Sequence, residues 1–209
     1  MIEFKEWPKI PRLFRECMIT EKIDGTNAGV IIEKLPKDAP LLHLWNDRKA
    51  IAVVLHEDRL YLVGAQARNG LITLQDDNHG FASWVGKNAA DLVRILGEGT
   101  HMGEWWGHGI NRGYGLPKGE NYFSLFNVAR WDPLYDDATW PKGLSIVPVL
   151  YEGMFSTGAV RATVDSLKKN GSLARGGYDK PEGVVVFHAA AEEMFKVTCE
   201  RDEEWKGKK

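Results

Sequence analysis

One short polar stretch constrains this chain more than any other: Glu21-Lys22-Ile23-Asp24-Gly25-Thr26-Asn27, set between two runs that read as strands. Cys17 to Thr20, before it, is short and partly apolar. Ala28 to Ile32, after it, is apolar and β-branched, which suits a half-buried pleated surface. Asp24-Gly25 is a turn signal, because glycine accepts positive φ and aspartate can hydrogen-bond its own backbone two residues on. The expectation is a hairpin with Lys22 at its strand end, its ammonium held at the mouth of a sheet. A lysine so placed is a candidate covalent nucleophile, since desolvation and neighbouring cations favour the free amine that attack requires. The same pattern also describes a solvated strand end, so the rest of the chain has to decide.

The 209 residues suit one large domain with a sizeable core, and the expected organisation is a single domain over 1–209 with no separate C-terminal domain. No apolar run approaches the length of a membrane span, and the start, Met1-Ile2-Glu3-Phe4-Lys5-Glu6, lacks the basic-then-apolar layout of a signal peptide. A cytoplasmic protein with no membrane partner is expected. Cys17 and Cys199 are too few for a disulfide framework and match no zinc spacing, so two reduced, buried thiols are expected. The net charge of −2 argues against a general nucleic-acid coat and leaves room for a local basic groove. Eight tryptophans serve either a core or stacking, and composition does not choose between them.

Two prolines make residues 1 to 16 an irregular lead-in. A polar break is expected at Pro36 to Pro40, then strands at Ile51 to Leu55 and Leu60 to Val63. Gln66-Ala67-Arg68-Asn69-Gly70 reads as a turn with an arginine at its edge. Phe81, Trp84, Val85, Leu92, Val93 and Leu96 recur at helical spacing and Gly97 and Gly99 end the run, which predicts an amphipathic helix packed on a sheet. Tyr122 to Trp131 and Leu144 to Leu150 favour strands. Ser156 or Thr157 is placed to cap a second helix running to about Asn170, with Gly171 as its stop. Strands are expected at Glu182 to Phe187 and Glu193 to Cys199, the latter carrying Lys196. Short strands without βαβ alternation predict an α+β fold of antiparallel sheets flanked by helices.

The dense stretch His101-Met102-Gly103-Glu104-Trp105-Trp106-Gly107-His108-Gly109 invites a metal reading. His101, Glu104 and His108 lack the i, i+4 helical pairing of a zincin site, however, and the glycines disfavour a helix. Gly107-His108-Gly109 misses the third glycine of a dinucleotide fingerprint, and nothing fits a Walker A loop.

Read as an ordered set, Lys22 in EKIDGTN, Arg68 in ARNG, Glu104 in GEWWG, Phe126 in YFSLFNV, Glu182 in PEGVVVF and Lys196 in MFKVT resemble the covalent nucleotidyltransferases. The likeness is nearest to ATP-dependent RNA ligases of the RNA ligase 2 and RNA-editing-ligase type, and runs from about residue 17 to residue 200. The resemblance implies a nucleotidyltransferase (ligase adenylation) domain in which Lys22 becomes adenylated. It implies that Arg68 and Glu104 contact the nucleotide sugar, Phe126 stacks on the base, Glu182 serves Mg²⁺ or Mn²⁺, and Lys196 holds the α-phosphate. Glu21, Ile23 and Asn27 join the nucleotide-binding set. ATP is the implied substrate, and nucleic-acid ends or nicks, RNA before DNA, are the implied partners, as in nucleic acid repair.

The chain departs from the pattern in three places. Relatives usually carry two basic residues one apart in the last motif, where this chain has Lys196 and then Thr198. Many carry a basic residue five positions after the glutamate, where this chain has Phe187; Lys206, Lys208 or His188 are the candidates to compensate. The chain ends at Lys209 with no separate C-terminal substrate-binding domain in view. A minimal DNA ligase core, a capping guanylyltransferase and a non-catalytic nucleic-acid-binding module on a ligase scaffold remain the alternatives. The last has no need of a reactive lysine.

Overall fold

The structure, a computed structural model, describes residues 2–37 and 49–200. The strands in chain order are β1 (Glu16–Lys22), β2 (Thr26–Lys34), β3 (Ala52–His56), β4 (Arg59–Ala67), β5 (Gly70–Ile72), β6 (Gly99–Gly107), β7 (Asn121–Leu125), β8 (Leu144–Ile146), β9 (Val149–Met154), β10 (Gly183–His188) and β11 (Glu193–Thr198). The helices are α1 (Phe81–Leu96), α2 (Val128–Trp131) and α3 (Thr157–Asn170). The chain divides into two compact units, Met1–Lys22 with Pro148–Lys209, and Ile23–Val147.

The first unit is built on an antiparallel sheet of order β11-β10-β1-β9. Its helix starts where Ser156 Oγ accepts the Ala159 N–H at 3.0 Å, satisfying one of the orphan donors of a helix start, and stops at Gly171. Val164 and Leu167 of α3 pack on Cys17, Ile19, Val184 and Val186. Because strand side chains alternate, Cys17, Ile19 and Glu21 turn to this buried side, and Met18, Thr20 and Lys22 turn to the other.

The second unit holds a sheet of order β3-β4-β2-β6-β7-β8, with β5 paired to β4. Every pairing is antiparallel except β7 with β8. Phe81, Val85, Ala89, Leu92, Val93 and Leu96 of α1 are buried against Ala28, Val30, Ile32, Val63, Trp105 and Phe123. Trp105, Trp131 and Trp140 belong to the same buried cluster and Trp84 packs against it, so these four tryptophans serve a core.

The α+β architecture and both long helices agree with the sequence reading. Four local expectations do not. β1 and β2 lie in different sheets, so the stretch after Lys22 is a crossover and not a hairpin. The strand expected over Tyr122 to Trp131 ends at Leu125, where Asn127 caps α2 by accepting the Arg130 N–H. Leu144 to Leu150 is broken at Pro148, which cannot donate to a ladder, and its halves join different sheets. Gly99–Gly107, not foreseen as a strand, is the central β6.

Cys17 and Cys199 form no disulfide; Cys17 is buried, with its thiol pKa pushed up by burial, whereas Cys199 is only half-buried. Among the described residues, no helix is long and apolar enough to cross a membrane.

Candidate nucleotidyl-transfer site

Lys22 closes β1, and its Nζ donates to Glu182 Oε2 at 2.6 Å. Both side chains are shielded, at 24% and 18% exposure, so the pair is screened less than a surface ion pair would be. Glu182 stands just before β10, where its carbonyl accepts the Cys199 N–H at 2.8 Å. Sheet register sets the neighbours. Lys22 lies opposite Gly183 and Gly183 opposite Thr198, while Lys196 lies opposite Val185, two residues further along β10. Lys22, Lys196 and Thr198 therefore share one face, and Gly183, between Lys22 and Thr198, puts no side chain into the lane that separates them.

Gly183 is obligatory there: φ is +155°, and a Cβ would run into the Val197 carbonyl oxygen and sit 2.7 Å from the Thr198 Cα. Glu21 faces the opposite side. It is almost fully buried, and its Oε2 accepts the N–H groups of Leu173 (2.8 Å) and Ala174 (2.9 Å), tying the chain beyond α3 to β1. Its Oε1 has no hydrogen-bond partner among the described residues. His188 is also buried on that side, bonded to the Leu13 carbonyl, so it does not stand in for the missing basic residue beside Lys196. Lys206 and Lys208 lie outside the described residues.

The second unit carries the remaining predicted residues. Ile23 is buried. Asn27 lies directly opposite Glu104 across β2 and β6, and Glu104 Oε1 accepts the Gly25 N–H at 3.0 Å. Glu104 is also opposite Ser124, whose hydroxyl accepts the Trp106 Nε1–H at 2.8 Å. His101 and Glu104 point to opposite faces of β6, with His101 buried on the α1 side. Arg68 is exposed just beyond β4, in the turn to β5. Phe126, 39% exposed beyond β7, lines a cavity of about 190 Å³ with Met102, Arg130 and Trp131. The structure thus joins Lys22 with Glu182, and Asn27 with Glu104, and leaves Arg68 and Phe126 at strand ends.

The bend after Lys22 is held by residues the sequence reading passed over. Asp24 Oδ2 accepts from Arg112 Nε at 2.9 Å and Oδ1 from Asn111 Nδ2 at 3.0 Å, while the Asp24 N–H donates to the Tyr114 hydroxyl at 2.9 Å. Asp24 is thus bound to the loop after β6. Gly25 is required by close approach and not by positive φ: a Cβ would meet the Trp105 carbonyl oxygen and stand 2.7 Å from the Trp106 Cβ. The available signal was Asn111-Arg112-Gly113-Tyr114-Gly115, polar and glycine-broken, with the buried Tyr114 at φ 52°.

The RNA ligase family model matches residues 15–198. This chain belongs to the RNA ligase family. Solved structures of Naegleria gruberi RNA ligase share its fold. A mutant without ligand superposes with a TM-score of 0.54 at 17% identity, covering 91% of this chain and 52% of that one. A mutant with ATP and Mn gives 0.53 at 17% identity, with the same 91% and 52% coverage. A further mutant with AMP and Mn also gives 0.53, at 17% identity over 91% of this chain and 52% of that chain. This RNA ligase family member therefore spans about half the length of those proteins. No curated protein matches it in sequence.

Proposed function

We propose that this chain joins RNA ends at the expense of ATP through a covalent lysyl-AMP intermediate on Lys22. The observation that carries the reading is the 2.6 Å contact of Lys22 Nζ with Glu182 Oε2, on a sheet face that also holds Lys196. Lys22 attacks the α-phosphorus of ATP, forming an N–P bond as the bond to pyrophosphate breaks. The amine must shed one proton, and Glu182 Oε2 is the acceptor in contact with it. AMP then passes to the 5′-phosphate of an RNA end, and a 3′-hydroxyl displaces AMP to make the phosphodiester. Catalysis of this kind is mostly positioning and neutralisation of phosphate charge, which suits Lys196 for the α-phosphate.

Arg68 and Glu104 are assigned to the sugar, Phe126 to the base, and Ile23 and Asn27 to the nucleotide. Glu21 is assigned to holding β1, and so Lys22, in place: its carboxylate lies on the opposite, buried side of the sheet, bonded to the N–H groups of Leu173 and Ala174. The donors fit Mg²⁺ or Mn²⁺: among the described residues no group of three His, Cys, Asp or Glu forms a protein cage. One carboxylate, Glu182, suits an ion that keeps several waters and takes further ligands from substrate phosphates. When bound, such an ion supplies charge neutralisation at the phosphates. The two units are read as one nucleotidyltransferase domain, with RNA preferred to DNA and a cytoplasmic setting.

Intact-protein mass after incubation with ATP and a divalent ion tests the proposal. An increase of one AMP is expected on the Lys22 peptide, labile to acid and stable to base as a phosphoramidate should be. Lys22→Arg keeps the charge but offers a guanidinium that stays protonated, and should abolish the adduct. A labelled Lys22→Arg protein overturns the mechanism. Faster sealing of nicks with RNA on the 3′-hydroxyl side is expected, and equal rates on RNA and DNA at matched salt count against the RNA preference.

A further inference from the structure

The face that carries Lys22 does not end at Lys196. Two residues further along β10 stands Phe187, flanked by Met18 on β1 and Met194 on β11 in one cross-strand row. Alternation explains the exposure. Val184, Val186 and His188 turn to the buried side of the sheet, whereas Phe187 is 40% exposed and Met194 70% exposed. A large aromatic ring lying open beside an exposed methionine, on the face of a reactive lysine, has no role in packing the core.

We propose that Phe187 and Met194 form a stacking platform for a nucleobase of the RNA end, which rests on the ligase reading above. Strand geometry sets the spacing: Phe187 is about 7 Å along β10 from the Lys196 row and about 13 Å from the Lys22 row. The 5′-phosphate of the RNA end must meet the α-phosphate held at Lys196 to take the AMP, so a base near that end comes within reach of the ring. Aromatic rings accept any base, since every base offers a π-face, and a methionine thioether packs well against such rings. Glu152, opposite Met18 on β9, is the acidic group in the row, two strands or about 10 Å from Phe187.

A protein partner fits less well. A stable interface covers about 800 Å² on each side, and here Lys196 and Thr20 in the next row and Glu152 in the same row break up the apolar surface.

The test uses the full chain and 5′-phosphorylated RNA oligonucleotides, intact or with one abasic residue at successive positions from the phosphate, in fluorescence anisotropy without ATP. Phe187→Ala should weaken binding of the intact strand roughly ten-fold, Met194→Ala less, and Phe187→Trp should bind at least as tightly as the parent. The Phe187→Ala penalty should vanish for the one strand whose abasic position matches the platform, and AMP labelling of Lys22 should be unchanged. An equal penalty on every strand overturns the proposal, as does no binding by the parent. Loss of Lys22 labelling in Phe187→Ala assigns the ring to ATP, and a parent dimer dissolved by that variant assigns it to a second copy; both overturn it. Absence of Lys22 labelling in the parent counts against the ligase reading alone, because the binding comparison is read without ATP.

Discussion

His101 lies on the α1 side of β6, and its two ring nitrogens are treated differently. Nε2 sits 3.0 Å from the Gly97 carbonyl, which can only accept, so Nε2 carries the proton and Nδ1 is a bare acceptor, buried and without a partner among the described residues. Burial lowers the pKa below its ordinary value of 6.5; the Gly97 bond opposes the shift and the nearby Arg130 adds to it. The folded state thus binds fewer protons at this site than the unfolded chain. Its contribution to stability is complete above about pH 6.5 and is lost as pH falls from there through the lower folded pKa. Urea unfolding at pH 7.5 and 5.5 should show this loss in the parent, and a reduced pH dependence in His101→Leu. At the site itself, Glu182→Gln keeps the shape of the Lys22 partner but removes its charge. AMP labelling should slow by about 10²-fold or more, read by single-turnover mass spectrometry, with the far-UV spectrum unchanged.

At the start of β10, Gly183 has the least room for a Cβ of the glycines among the described residues. Gly183→Ala places a methyl against the backbone of β11, where no flexible side chain can give way, and asks alanine for φ +155°. A loss of about 3 kcal/mol is expected, together with displacement of Lys196 and weaker AMP labelling; a thermal melt and the labelling assay check both. Ser156→Ala removes the cap of α3 and should cost about 1 kcal/mol without altering Lys22 labelling. The contrast between these two positions shows what a sequence can disclose. Ser156, Gly171 and Gly97 act on their own helices, so spacing and caps were enough to delimit α1 and α3 within a residue or so. β6 mixes glycine, histidine and tryptophan in a central strand, and nothing local announces it. The Asp24 clamp and the Lys22–Thr198 lane depend on partners far away in the chain. Motif order pointed to Lys22 and Glu182 together, but only the sheet register put Thr198 and Phe187 on their face and Glu21 on the other.

At the scale of the molecule, the two units have cores of different size. Among the described residues, twenty-one buried residues form the core of Ile23–Val147, and six form that of the other unit. Trp84, Trp105, Trp106, Trp131 and Trp140 all belong to Ile23–Val147, whereas Trp7 is 83% exposed and reports on no core. The emission of these five tryptophans therefore follows the larger unit, and ellipticity at 222 nm follows both α1 and α3. In a urea titration the ellipticity should begin to fall before the emission changes, as the smaller core gives way first; coincident curves would mean one cooperative transition.

The covalent path sets an order of events in synthesis. β1 precedes Ile23–Val147 and its partners β9 and β10 follow that unit, so Lys22 is 160 residues ahead of Glu182. At about 5–20 residues per second on the ribosome, the lysine waits roughly 10–30 s for its carboxylate. During that interval the larger unit can complete its own sheet, while β1 remains an unpaired, half-apolar strand open to wrong partners. Lys22 is thus made 160 residues before the carboxylate it pairs with, and the two meet only after the larger unit has been synthesised.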